Sequence, residues 1–222
     1  MKNRTPNVGI VSLFVALSLV LSACGTTDTA SNSSTSNSNS ASNTTTSMSN
    51  NEQIALPVKG QHIATLTTSK GTIKIKFFPE YAPETVKNFE ELSKKGFYNN
   101  LTFHRVIPGF MIQGGDPLGN GRGGETYKGP GTTLKGEVNP ALHHVHGAVA
   151  MANKANPNTA SSQFYIVQNK TGAPFLDGGY TIFGQAYEGL DVVDAIANVE
   201  RDSNDKPRTP VKILKVELSI VE

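Results

Sequence analysis

The segment from Phe103 to Asp116, FHRVIPGFMIQGGD, sets a few polar side chains in an apolar, glycine-rich background. Arg105 carries a permanently charged guanidinium with several N–H donors in one plane. His104 is the other basic residue of the segment, and no serine, threonine or cysteine accompanies the two. The segment therefore lacks a nucleophile, and any chemistry performed here must rest on something other than covalent attack.

Two other clusters could suggest a ligand site. The run HHVH, residues 143–146, offers three imidazoles, but their close spacing does not bring all three onto one ion easily, and no cysteine or acidic cluster accompanies them. Structural or surface histidines are the favoured interpretation. The run GNGRGGETYKGPG, residues 119–131, lacks the spacing of a phosphate-binding loop, so a flexible loop is the simpler interpretation.

Charge and composition limit the class of protein. The chain has 222 residues and a formal charge of +2, and 18 basic residues remain against 18 acidic ones once Lys2 and Arg4 are set aside. Such a balance does not predict an electrostatic surface for nucleic acid. The 21 glycines and the absence of tryptophan favour one turn-rich domain over a helical bundle.

The N-terminus resembles an export signal. Lys2 and Arg4 precede an apolar run at residues 8–21, which is shorter than the ~18 to 20 residues that a spanning helix needs. The run ends in LSAC, which is similar to the lipobox of bacterial lipoproteins, so residues 1–23 are predicted to be a lipoprotein signal peptide and Cys24 the site of lipid attachment. Cys24 is the only cysteine, which excludes an intramolecular disulfide. An ordinary signal peptide with an incidental cysteine is the alternative.

Residues 24–53 are predicted to be a disordered tether that begins at the lipidated cysteine. Ser, Thr and Asn make up 22 of the 29 residues from Gly25 to Gln53. Such a segment cannot bury enough apolar surface to offset the entropy of ordering it. The prediction therefore places the protein on the extracytoplasmic side of a cell membrane, with a folded domain over residues 54–222.

Residues 54–222 read as many short strands with two helices. His62–Thr68 and Thr72–Phe78 alternate apolar and polar residues around a turn, which predicts a hairpin. PETVKNFEELSKKG predicts an amphipathic helix, and Leu190–Val199 predicts a second one. This content favours a mainly β fold: a closed antiparallel barrel capped by the two helices. Further strands are expected at Thr102–Val106, Met111–Gly114, Ala148–Ala152, Phe164–Gln168, Tyr180–Gln185 and Val211–Val221, the last with a bulge at Leu214 and Lys215.

Three segments together resemble the signature sequences of the cyclophilins, the peptidyl-prolyl cis/trans isomerases. They are FHRVIPGFMIQGGD, MANKANPNTASSQFYI (Met151 to Ile166) and FLDGGYTIFGQ (Phe175 to Gln185). The resemblance extends from about His62 to the end of the chain and implies an eight-stranded barrel. It also explains the missing nucleophile, because twisting an X-Pro amide breaks no covalent bond and takes tens to hundreds of seconds uncatalysed.

The resemblance implies a role for each matching residue. Arg105 matches the catalytic arginine, whose donor suits the proline nitrogen that gains a lone pair when the amide twists; without the family, a surface salt bridge is the alternative. The implied pocket for the proline ring consists of Phe110, Met111, Phe164 and Leu176, with Gln113 placed to bond the substrate backbone. The remaining residues implied to bind substrate are Ala152, Asn153, Gln163, Phe175 and Tyr180.

The sequence departs from the eukaryotic pattern in three places. Phe175 stands where a tryptophan is typical of cyclosporin-sensitive members, Tyr180 stands where a histidine is common, and one extra residue lies between Asn153 and Pro157. Weak cyclosporin inhibition is therefore expected.

The combined expectation is a monomeric isomerase without cofactor or metal. It would act on Pro-containing polypeptides during the folding of exported proteins, tethered to the membrane by a lipid. An extracytoplasmic chaperone or binding module for Pro-containing segments, with little turnover, is the alternative. A protease or a glycan-cleaving enzyme lacks a convincing nucleophile and base or a carboxylate pair.

Overall fold

The computed structural model describes residues 48–222. Within them, the alternating segment that follows the N-terminal arm forms the predicted hairpin, with strand β1 at His62–Thr68 and strand β2 at Gly71–Phe77. Leu66 and Ile75 are fully buried on the inner face. The period-2 alternation of apolar residues thus places one face of the hairpin on the core.

The other strands follow the predicted positions with shifts of a few residues at their ends. The main sheet is antiparallel throughout and has eight strands, while two very short strands form a separate ribbon. The bounds are Arg105–Ile107 (β3), Met111–Gly114 (β4), Glu125–Thr126 (β5), Gly129–Pro130 (β6), Ala148–Met151 (β7), Phe164–Val167 (β8), Ile182–Glu188 (β9) and Ile213–Ile220 (β10). The order in the main sheet is β10-β1-β2-β9-β7-β8-β4-β3.

The barrel is not closed, which corrects the sequence-based prediction. The end strands β3 and β10 share no ladder in the described sheet, although Phe103 N donates to Val211 O (3.0 Å) and Ile213 N to Leu101 O (2.7 Å) beside them. The reason lies in β3 itself: Val106 N donates to Asp205 O, in the loop before β10, at 2.9 Å. The sheet therefore curls into a half-barrel, and the loop that contains Asp205 covers the gap between β3 and β10.

The predicted bulge in the last strand is confirmed. Thr67 lies opposite Lys215 and Thr68 opposite Ile213, so Leu214 has no partner across the ladder. One extra residue on one strand is the defining feature of a bulge, and it increases the local bend.

Two helices pack on the sheet as predicted. Helix α2 spans Pro83–Lys94 and buries Phe89 and Leu92, while the second one spans Leu190–Ala197 and ends two residues earlier than expected. The start of α2 has no side-chain cap of its own. Instead, the Glu137 carboxylate accepts hydrogen bonds from the amides of Glu84 and Thr85, at 3.1 and 2.8 Å, which favours the helix N-terminus electrostatically.

A short helix at Asn50–Ile54, α1, precedes the hairpin and was not predicted. Ser49 and Glu52 form a capping box at its start, and Gln53 is fully buried. Residues 48–53, the last ones assigned to the tether, thus contact the folded domain. The Gln53 side chain is buried there and bonds to the backbone of His143. Residues 1–47, with the predicted signal peptide, Cys24 and most of the tether, lie outside the described residues. No helix within residues 48–222 is long and apolar enough to cross a membrane.

The main core is aromatic and lies between the sheet and the helices. Phe89 of α2 packs on Tyr98, Phe164 and Phe183, with ring centroids 4.8 to 5.5 Å apart. Burying each such ring is worth roughly 1.5 to 3 kcal/mol. A second cluster, which includes Met111, Tyr165 and Ile182, lies on the other side of the central strands. The second cluster forms the floor of the cleft described next.

Candidate active site

The hairpin β3–β4 places Arg105 directly opposite Gln113 in the ladder. Residues directly opposite in an antiparallel pair project from the same face of the sheet, and residue i+2 shares that face. Met111 therefore lies on the same side as Gln113, and Phe110 closes the turn with a backbone hydrogen bond to Ile107 O at 3.0 Å. Four side chains of this short hairpin, two polar and two apolar, are thus brought close together on one side of it.

An open cleft of about 680 Å³ lies over this face. It collects residues that are distant in sequence: the β3–β4 hairpin, the segment after β7, the short helix at Pro174–Leu176 and the loop before β10. Of the predicted site residues, those that line it are Arg105, Phe110, Met111, Gln113, Ala152, Asn153, Leu176 and Tyr180.

Two further predicted residues lie at the margins of the cleft. Gln163 lines a smaller adjoining cavity and accepts a hydrogen bond from Gln113 Nε2 at 2.9 Å. Phe175 is 73% exposed at the rim, and its ring centroid lies 5.5 Å from that of Phe110. The structure thus brings the two residues beside the cleft without placing either in its lining.

Phe164 does not line the cleft, contrary to the sequence-based interpretation. It is fully buried in the main core against Phe89, Tyr98 and Phe103. The next residue, Tyr165, faces the cleft instead. Adjacent strand residues point to opposite faces, and Tyr165 lies opposite Gln113 in the ladder. The register of β4 on β8 would have identified Tyr165, but the sequence alone does not give that register.

Tyr165 is anchored from behind by a buried histidine. His144 Nδ1 lies 2.6 Å from Asp177 Oδ1, and its Nε2 lies 2.8 Å from the Tyr165 hydroxyl. A carboxylate only accepts, so Nδ1 carries the proton and Nε2 is the acceptor in the neutral ring. The Tyr165 hydroxyl therefore donates away from the cleft, which leaves the aromatic ring as an apolar floor.

Burial determines the charge states in this network. Burial lowers the pKa of His144, although the hydrogen bond that His144 donates to Asp177 acts in the opposite direction, and burial raises the pKa of Tyr165. Partial burial alone would raise the pKa of Asp177, but hydrogen bonds from His143 and His144 outweigh it and lower the pKa. At neutral pH the network thus holds one carboxylate, a neutral His144 and a neutral tyrosine.

The Arg105 guanidinium is a free donor on the face formed by the β3–β4 hairpin. Its side chain is 43% exposed. Among the described residues, it donates no hydrogen bond to a protein acceptor. Its nearest carboxylate is that of Asp205, with Nε 3.8 Å from Oδ2. His104 beside it is buried, burial lowers its pKa, and neither ring nitrogen has a partner within residues 48–222.

Asn153 presents unpaired backbone to the cleft. Its side-chain amide donates to Gly179 O at 2.9 Å, which fixes the residue. Within the described residues neither its backbone N–H nor its C=O is hydrogen-bonded, so both can pair with an extended peptide. The extra residue noted after it is accommodated at Ala155, which adopts a left-handed conformation with φ of 57°.

Comparison with known proteins agrees with this geometry. Residues 63–218 match the family model described as cyclophilin type peptidyl-prolyl cis-trans isomerase/CLD. A peptidyl-prolyl cis-trans isomerase of Schizosaccharomyces pombe is 48% identical over 151 residues, which are 68% of this chain and 94% of the relative.

Solved structures agree as well. A cyclophilin type peptidyl-prolyl cis-trans isomerase of Cryptosporidium parvum superposes with a TM-score of 0.68 at 34% identity, covering 73% of this chain and 99% of that one. A structure of that protein in the presence of the dipeptide Ala-Pro has a TM-score of 0.66, also at 34% identity, and covers 72% of this chain and 98% of that one. The chain therefore belongs to the cyclophilin family and is a peptidyl-prolyl cis-trans isomerase.

Proposed function

We propose that Arg105 performs the isomerisation by donating a hydrogen bond to the proline nitrogen of a twisted X-Pro amide. In the planar amide this nitrogen cannot accept, because its lone pair is delocalised. In the twisted amide it can, so the bond forms only in the transition state and lowers the barrier. The observation that carries the proposal is a charged donor without a protein hydrogen bond beside an apolar floor.

The apolar side chains around that donor suit a proline ring. Phe110, Met111 and Leu176 line the cleft together with the ring of Tyr165. The methylene groups of the proline ring lose their contact with water on entering such a pocket, and this burial holds the proline while the preceding carbonyl turns. Pairing of the peptide with the Asn153 backbone would hold the substrate chain on the other side of the X-Pro bond. The Cryptosporidium relative studied with Ala-Pro supports the same class of substrate here.

The test is the cis-to-trans exchange rate of an Ala-Pro-containing tetrapeptide, measured by NMR exchange spectroscopy with residues 48–222. Charged hydrogen bonds are worth about 1.5 to 3 kcal/mol, so Arg105→Ala should slow catalysed exchange by roughly 10- to 150-fold. Arg105→Lys keeps the charge but not the planar donor set and should fall between the two. Unchanged exchange with a folded Arg105→Ala variant would contradict the role of Arg105. A folded parent that binds the peptide without accelerating exchange would favour the binding module instead.

We also propose that the isomerase works outside the cytoplasm, held on a membrane through a lipid on Cys24. The support is the sequence: Lys2 and Arg4, the short apolar run at 8–21, and the single cysteine after LSA. Burial of an acyl chain is worth about 0.8 kcal/mol per methylene, and two chains anchor a protein stably where one does not. Exported chains must fold there with slow X-Pro steps, which gives the enzyme its clients.

Mass spectrometry of the protein extracted from membranes tests the anchor. The expected result is a mature N-terminus at Cys24 with the mass of attached acyl chains, and Cys24→Ala should release the protein from the membrane fraction. An unmodified Cys24 in the extracted protein would rule the anchor out. Slower proline-limited refolding of secreted proteins in a strain lacking the enzyme, restored by the parent and not by Arg105→Ala, would connect the activity to export.

A further inference from the structure

Arg105 lies on β3, an edge strand of the sheet, where few neighbouring residues restrain its side chain. Strand β3 is only three residues long and pairs on one side, with β4. Holding a free arginine side chain in one conformation has an entropic cost. A transition-state donor in this position needs a contact that restricts its side chain before the substrate arrives.

Asp205 contacts β3 twice, once through its backbone and once through its side chain. Its carbonyl oxygen accepts from Val106 N at 2.9 Å, next to Arg105 in the strand. Its carboxylate Oδ2 lies 3.8 Å from Arg105 Nε, an ion-pair distance rather than a hydrogen bond. Asp205 itself does not line the cleft, whereas Asp202 and Lys206 do.

The loop around Asp205 is built to hold that carboxylate in place. Asp202 Oδ1 accepts from the amides of Asn204 and Lys206, at 2.8 and 3.0 Å, and Asp205 N donates to Asp202 O at 3.1 Å. Asp205 has a φ of 64°, a left-handed conformation that costs energy for most residues. Its other carboxylate oxygen accepts from Arg201 Nε at 3.2 Å. Arg201 thus holds one carboxylate oxygen, the loop fixes the backbone of Asp205, and the other carboxylate oxygen is presented to Arg105.

We propose that Asp205 is a positioning residue for the isomerisation. It attracts the Nε edge of the Arg105 guanidinium, so that the remaining N–H groups stay directed at the X-Pro amide. This inference rests on the proposed role of Arg105 as the donor. Asp205 makes no contact with the substrate and acts only through Arg105.

Asp205→Asn is the discriminating variant. Asparagine has nearly the same shape and tolerates the left-handed conformation, so the backbone contact with Val106 is retained while the charge is lost. Partly exposed ion pairs are worth about 0.2 to 1 kcal/mol, which predicts a fall in kcat of roughly 1.5- to 5-fold with KM unchanged. Glu91→Gln removes one carboxylate from an exposed pair with Lys94 on α2 and serves as the charge-matched control.

Three readouts separate positioning from a general structural role. In the Arg105→Ala background, Asp205→Asn should cause no further loss, because its effect passes through Arg105. The NMR signal of the Arg105 Nε–H should shift in Asp205→Asn and stay in place in Glu91→Gln. The difference between the parent and Asp205→Asn should also shrink as salt rises, since the contact is ionic.

The outcomes distinguish the two proposals. If Arg105→Ala retains full activity, the role of Arg105 fails and the positioning role fails with it. If Arg105→Ala loses activity while Asp205→Asn matches Glu91→Gln or exceeds the parent, only the positioning role is overturned. An equal fractional loss from Asp205→Asn in both backgrounds would also overturn it, because the effect would then be independent of Arg105.

Discussion

Replacing Tyr165 by phenylalanine tests the network beneath the cleft. The change removes only the hydroxyl that donates to His144 Nε2 at 2.8 Å. The aromatic ring stays in place, so no cavity forms in the floor and the apolar burial is retained. The His144 side chain has an exposed fraction of 0%, so its ring nitrogen has no access to bulk water as a substitute partner.

The expected loss follows from that burial. A buried polar atom deprived of its partner costs about 1 to 3 kcal/mol. Tyr165→Phe should therefore lower the free energy of unfolding by roughly that amount and reduce the Tm by about 2 to 4 °C for each kcal/mol, as is usual for domains of this size.

Urea unfolding of residues 48–222 at pH 7.5 measures the loss, and Tyr127→Phe is the matched control. The Tyr127 hydroxyl makes the same type of bond, to Glu84 at 3.1 Å, but on the surface, and its removal should change stability by less than about 0.5 kcal/mol. In a His144→Ala background, Tyr165→Phe should cost clearly less than in the parent. A cost no greater than that of Tyr127→Phe, or an equal cost in the two backgrounds, would refute the assigned network.

Three further predictions follow from contacts elsewhere in the domain. Gln53→Ala should cost about 1 to 3 kcal/mol of stability in urea unfolding, because the side chain bonds both the N–H and the C=O of His143 at 3.0 and 2.7 Å; an unchanged midpoint would show that α1 does not stabilise the domain. Burial lowers the pKa of His104 and His144 below 6.5, so the unfolded chain takes up protons that the folded one does not, and stability should be greatest above pH 6.5 and fall as the pH drops below it; a flat profile between pH 7.5 and 5 would contradict this. Phe175→Trp should strengthen cyclosporin inhibition of peptide exchange, since it restores an indole N–H at an exposed position on the rim, and nanomolar inhibition of the parent would contradict that explanation.

Most of the fold could be predicted from local pattern. The hairpin β1–β2, helix α2 and the bulge at Leu214 follow from periodicity and from helix end signals, which depend only on neighbouring residues. Closure of the barrel could not be judged in this way. It depends on whether the backbone of β3 bonds to β10 or to the loop before it. In the structure the Val106 N–H bonds to Asp205 O, about 100 residues away in sequence, and such a distant partner leaves no local signal.

The site divides in the same way. Arg105, Met111 and Gln113 lie in one short segment, so their membership of one site could be predicted from the sequence without the fold. Phe164 and Tyr165 are both aromatic and adjacent, and only the register of β8 decides which of them faces the cleft. A shift of one residue turns every side chain of a strand to the opposite face.

By itself, the sequence determined the family, the reaction and the arginine expected to perform it, because these depend on residue types within contiguous segments. Only the tertiary structure decided what holds that machinery in place. Asp205 behind Arg105, His144 behind Tyr165 and Gln53 against His143 join residues separated by up to 100 positions or so, with contacts that form only when the sheet curls. The polar atoms of Gln53 and His144 are paired because burial makes an unpaired one costly, and no local pattern in the chain records which partner each will find.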